Sequence, residues 1–166
     1  MASSGSAVRL RRLTNELKSA SAGAKEDGVA IQVASDGKDT LSHFIGTITG
    51  PEDTPFENIK YEVDIHVGEH YPVEPPKMKF ITVPYHPNVS LRGTICVTFL
   101  KSMGSAGWSP AMSIRSALVA LRSLLDDPCP DDALNCEAAK DWRVAARTNN
   151  WQAYQRKVIE RARNLV

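Results

Sequence analysis

The sequence predicts an α+β domain: an N-terminal helix, a four-stranded antiparallel meander sheet, an irregular loop carrying a cysteine, then three or so C-terminal helices. Three observations carry this expectation. Residues 61–67 alternate apolar and polar side chains with period two, and three neighbouring segments read the same way across short turn signals. Leucines and isoleucines recur at helical spacing both before and after those segments. A chain of 166 residues is long enough to bury roughly 70% of its unfolded surface in a single core.

The elements follow in order. Residues 1–6 are small and polar, so a flexible lead-in is expected, with one domain over residues 7–166. From Ala7 to about Ala20 a helix is expected, with Leu10, Leu13 and Leu17 on one stripe and Arg9, Arg11 and Arg12 crowding it. Those arginines read either as a solvated basic face or as a docking surface for an acidic partner. Strands are expected at Val29–Ser35, Leu41–Thr49, Tyr61–Val67 and Lys77–Val83. Tyr61, Val63, Ile65 and Val67 point inward on the third, Met78 and Phe80 on the fourth. The proline-rich YPVEPP between them supplies too few N–H donors for a central ladder and reads as a rigid surface loop. A long helix should start near Ser109-Pro110 or, better, at Ser113, with Ile114, Leu118, Leu121 and Leu125 as its core stripe. Asp126-Asp127-Pro128 ends it. Two further helices are expected at about Asn135–Ala146 and Asn150–Leu165, the last burying Trp151, Tyr154, Val158 and Ala162.

Composition narrows the function. With 20 basic and 19 acidic residues the net charge is +1, which supplies no surplus for neutralising phosphates, so no nucleic-acid partner is expected. Three cysteines without C-x-x-C spacing fit neither a disulfide framework nor a structural zinc site. Reduced thiols in the cytoplasm or nucleus are expected, and no run is apolar enough for a signal peptide or a membrane span. No metal and no cofactor are expected.

The chemistry centres on YHPNVSLRGTIC, Tyr85 to Cys96. A lone cysteine in an apolar run is ordinarily buried and inert. Gly93, however, lets the backbone turn back so that residues near Asn88 approach Cys96 across Ser90-Leu91-Arg92. A cysteine hydrolase needs an imidazole beside the sulfur and a third group to orient it. His86, held extended by Pro87, suits that role poorly and is expected to stiffen the turn instead. A thiol that exchanges acyl groups with another thioester needs no dedicated base. Passing the acyl group to an amine creates an oxyanion that an amide such as Asn88 could stabilise. Asn88 also reads as a turn asparagine bonding nearby backbone, and the two roles are compatible.

Six segments, in order, resemble the ubiquitin-conjugating enzyme family over nearly the whole chain from Arg9 to Val166. They are GPEDTPFENIKYEVDI (Gly50 to Ile65), YPVEPPKMKF (Tyr71 to Phe80), YHPNV (Tyr85 to Val89), GTIC (Gly93 to Cys96), WSPAMSI (Trp108 to Ile114) and DPCPDDAL (Asp127 to Leu134). The resemblance implies that fold, and that Cys96 receives the C-terminal glycine of ubiquitin as a thioester from an activating enzyme. Cys96 then delivers it to a lysine amine of a protein substrate, helped by a ligase. It further implies that Asn88 serves the oxyanion or orders the loop and that His86 supports that loop. Asp132 would orient the lysine and assist loss of its proton. Arg9 and Arg12 on the first helix, with Pro72, Val73 and the turn Ser109-Pro110-Ala111, are the implied surface for activating enzyme and ligases. Val73 replaces a frequent bulky aromatic, Thr98 a frequent aspartate and Phe44 a frequent tryptophan. The loop Lys101–Gly107 is longer than the commonest form and could gate acceptor access. Cys129 reads as a spectator thiol. Three alternatives stay open: another small modifier, a non-catalytic ubiquitin-binding scaffold, and a cysteine hydrolase. A ubiquitin-binding partner subunit is left open too.

Overall fold

In a computed structural model, residues 4–23, 27–34, 41–95 and 107–164 are described, with side chains of the first span described over 7–19. Helix α1 (Ser4–Gly23) leads into strands β1 (Val29–Val33), β2 (His43–Thr49), β3 (Lys60–His66) and β4 (Lys77–Phe80). Helix α2 (Ile114–Asp126), a single 3-10 turn (Pro130–Asp132) and helices α3 (Cys136–Thr148) and α4 (Gln152–Arg163) follow. The sheet runs β1-β2-β3-β4, every neighbour antiparallel, so the meander expected from alternation is the one observed. No helix among the described residues is long and apolar enough to cross a membrane.

One face of the sheet is buried and the other open, as period two requires. Phe44 and Ile48 of β2, Tyr61, Val63 and Ile65 of β3, and Met78 and Phe80 of β4 are all buried. Against them lies α2, whose Ile114, Leu118, Leu121 and Leu125 are each at most 2% exposed. Each such side chain contributes about 1.5–3 kcal/mol, so the stripe alone anchors α2 to the sheet. Gly46 lets the helix come close, because a Cβ there would stand 2.7 Å from Leu118 Cδ2. Ser113 is the cap of α2: its side chain accepts from the Ser116 N–H, and the Ser116 hydroxyl accepts from the Ser113 N–H.

Several details differ from the sequence reading. Helix α1 begins at Ser4, inside the stretch expected to be irregular. Its stripe is shorter than expected, for Leu13 is buried whereas Leu10 is 52% exposed. Strand β4 stops at Phe80, and Val83 is buried from a loop. In α4 only Tyr154 and Val158 are fully buried, while Ala162 and Trp151, the residue that precedes the helix, are half-buried. Tyr71-Pro72, in the proline-rich loop, is a cis peptide.

Candidate functional site

The turn from Tyr85 to Val89 lies beside the end of α2 and is buried throughout. His86 Nε2 donates to the Leu124 carbonyl at 2.9 Å, and its Nδ1 accepts the Asn88 backbone N–H at 3.1 Å. That pairing selects the neutral tautomer with its proton on Nε2. Complete burial pushes the imidazole down to about 4, only partly opposed by the bond to Leu124. With both nitrogens committed, His86 has no lone pair to offer a thiol. The geometry is that of a brace.

Asn88 is 2% exposed, and its side chain is fully engaged. Nδ2 donates to the Cys129 carbonyl at 2.6 Å and to the Asp132 carbonyl at 3.2 Å. Oδ1 accepts the Cys129 N–H at 2.8 Å. One residue earlier, the Pro87 carbonyl accepts from the Leu134 and Asn135 N–H groups at 2.8 and 3.0 Å. The turn and the Cys129–Asn135 segment are therefore sewn together edge to edge. The sequence reading allowed Asn88 either an oxyanion role or loop ordering. In this geometry both amide hydrogens hold the loop.

The loop itself carries Asp131 and Asp132 on its exposed side. Arg143 of α3 pins it from without, donating to the Pro130 carbonyl at 3.0 Å and to Asp131 at 2.7 Å. The Cys129 thiol is exposed and donates to the Asp132 carboxylate at 3.9 Å, which sets the two side by side.

Beyond Val89 the chain doubles back as the glycine suggested. Val89 bridges Ile95, and a Ser90 to Gly93 turn closes between them through Gly93 N–H to Ser90 carbonyl at 2.9 Å. Gly93 has φ +83, and a Cβ there would stand 2.1 Å from the Phe80 carbonyl, so no side chain fits. Ile95 is buried opposite Val89, the residue after Asn88. Cys96 is next along the chain and lies outside the described residues, as do Thr98 and 101–106 of the long loop.

The expected partner surface is only partly open. Arg9 donates to the Gly68, Leu41 and Val67 carbonyls at 2.9–3.2 Å, tying α1 to the end of the sheet. Arg12 pairs with Glu16 at 2.5 Å and donates to the Met112 carbonyl at 2.7 Å. Pro72 accepts from Trp108 Nε1 at 2.8 Å through its carbonyl, while Val73 is 73% exposed. Ser109, Pro110 and Ala111 are exposed beside them. The sequence reading missed Glu16, which holds this region together. Its i,i+4 spacing from Arg12 was the only signal available in the sequence.

Comparison with known proteins agrees with this fold. The family model described as ubiquitin-conjugating enzyme matches residues 12–161, and the chain belongs to that family. It is 41% identical over 104 residues to ubiquitin-conjugating enzyme E2 13 of Saccharomyces cerevisiae, a match covering 63% of this chain and 65% of the yeast protein. It is 40% identical over 113 residues to ubiquitin-conjugating enzyme E2 N of Macaca fascicularis, covering 68% and 69% respectively. Among solved structures it is similar to a Toxoplasma gondii ubiquitin-conjugating enzyme E2 domain. That match has a TM-score of 0.75 and 32% identity over 93% of this chain and 97% of the other.

Proposed function

We propose that this chain is an acyl carrier for ubiquitin. The Cys96 thiolate attacks the carbonyl of ubiquitin's terminal glycine in the thioester of an activating enzyme, and the activating enzyme's sulfur leaves. A substrate lysine, brought by a ligase, then attacks the Cys96 thioester. The tetrahedral oxyanion collapses, the Cys96 sulfur departs as thiolate, and an amide remains with the proton lost from the amine.

The observation that carries this reading is the stitching of Asn88 to the Cys129–Asp132 loop, one residue from the Val89–Ile95 bridge that leads into Cys96. It supports an ordered gate beside the thiol. In the resting geometry Asn88 orders that gate. In the transfer step the longer of its two donated bonds, that to Asp132 at 3.2 Å, is the one to yield so that Nδ2 can face the oxyanion. Asp132, its carboxylate exposed on the same turn, then meets the incoming ammonium and helps remove its proton. A lysine of reference pKa about 10.4 is otherwise a poor nucleophile at neutral pH. His86 serves as the brace, and Arg9, Arg12, Pro72, Val73, Ser109, Pro110 and Ala111 form or shape the surface for activating enzyme and ligase. The site of action is the cytoplasm or nucleus.

Single-turnover kinetics test this. Wild type and Asn88→Ala, each charged with ubiquitin, are chased with free lysine. Both should charge, and the variant should discharge about 10²–10³-fold more slowly. Equal discharge rates would remove Asn88 from the transfer step. Failure of the wild type to form any reducible adduct would favour a scaffold that binds ubiquitin without carrying it. Charging by another modifier's activating enzyme alone would reassign the cargo.

A further inference from the structure

The open face of the sheet carries a side-chain cluster that acyl transfer does not use. His43 opens β2 and His66 closes β3, and the antiparallel register sets the two directly opposite each other. Asp64 lies two residues before His66, on the same face of the pleat. His43 Nε2 is 2.6 Å from Asp64 Oδ1, and His66 Nε2 is 3.1 Å from Asp64 Oδ2. The two imidazoles stack with centroids 4.2 Å apart and planes 14° from parallel. One ligand atom from each of the three residues lies within 4.8 Å of the other two.

We propose that His43, Asp64 and His66 bind one divalent transition-metal ion of the zinc or nickel type, through two imidazole nitrogens and one carboxylate oxygen. The donor set is of borderline softness, which suits zinc, nickel and copper and disfavours calcium and magnesium. Metal–ligand bonds of about 2.0–2.2 Å place tetrahedral ligands roughly 3.3 Å apart, a spacing inside the range these atoms already span. Directly opposed strand positions hold their Cβ atoms about 4.5–5.5 Å apart, so the backbone brings both imidazoles together without a loop to order.

Nearly parallel rings cannot aim both lone pairs at one point, so one ring must turn. His66, 55% exposed against 22% for His43, has the room. Water would complete the coordination from the solvent side. Lys77 and Lys79 of β4 stand across from His66 and Asp64, and their charge opposes a dication, so the site is weaker than a buried three-histidine centre. Its position gives the ion a structural effect. The same end of the sheet holds the bond from Val67 N–H to the Ser42 carbonyl and the Arg9 bonds that dock α1. A bound ion would staple β2 to β3 where α1 is anchored.

The test is a titration of the full chain with nickel or zinc chloride, comparing wild type with His66→Gln, Asp64→Asn and His70→Gln. All variants share the same thiols, so cysteine binding is a common background. Substoichiometric paramagnetic nickel should broaden the ring NMR signals of His43 and His66 first, leaving those of His70 and of buried His86. Zinc should raise the thermal midpoint of wild type and His70→Gln. His66→Gln and Asp64→Asn should each bind about tenfold or more weakly and lose that rise. Equal affinity in wild type and His66→Gln, broadening centred on His70 or on the cysteines, or no binding would overturn the proposal. The trio would then be hydrogen-bonded only.

Discussion

His86 is held neutral by what surrounds it, and that fixes how the fold responds to acid. Its imidazole is pushed down to about 4 by burial, whereas the unfolded chain offers a histidine near 6.5. Below about pH 6.5 the unfolded state therefore takes up a proton that the native state refuses. The contribution is fully present above that pH and is lost as the pH falls toward 4, about 3 kcal/mol in all. Urea unfolding across this range should show a decline in wild type that is shallower in His86→Gln. Identical slopes would mean that other groups govern the acid response. The sequence suggests a bracing rather than a basic His86, because the following Pro87 biases it away from helical backbone. Its partner was not, since the Leu124 carbonyl lies 38 residues away in the chain. Asn88 shows the same limit. An amide before the cysteine is visible in the sequence, but the engagement of both its hydrogens with carbonyls depends on a loop 41–44 residues downstream.

Among the elements, Glu16 joins three that the sequence keeps far apart. Its Oε1 accepts from Arg12 and from the Tyr71 hydroxyl at 2.6 Å, and its Oε2 accepts the Ile114 N–H at 2.9 Å. One carboxylate thus links α1, the segment entering Pro72 and the first turn of α2, where a negative charge also favours the helix dipole. Burial, helped by the neighbouring carboxylate, pushes the Tyr71 hydroxyl well above its ordinary range, so it remains a donor. Glu16→Ala should cost about 3 kcal/mol, since hydrogen bonds to a charged group are worth about 1.5–3 kcal/mol each and their partners would be left unpaired. Thermal or urea unfolding checks this, and a loss below about 1 kcal/mol would show that solvent replaces the carboxylate. The strands and α2 were legible because period two and the 3.6-residue stripe are written into consecutive positions. Their ends were not. The Ile81 N–H still bonds the in-register Glu62 carbonyl, but the Thr82 N–H falls on the same oxygen, so the chain leaves the ladder there, a departure that no local pattern announces.

For the molecule as a whole, the meander, the buried face and the order of the helices follow from patterning that any single segment displays. The convergence of His86, Asn88, Cys129 and Asp132 does not. It arises from packing between the turn and the segment after α2, and only the resemblance to a family placed those residues together in advance. The account stands or falls on which sulfur carries the cargo. Intact-mass and peptide mapping of the protein, charged by ubiquitin's activating enzyme with ATP, answers that. The expected result is one reducible ubiquitin on Cys96 that is absent in Cys96→Ala, becomes a reduction-resistant ester in Cys96→Ser, and persists when Cys129 and Cys136 are both replaced by alanine. A thioester that survives in Cys96→Ala, or that maps to Cys129 or Cys136, would contradict the account.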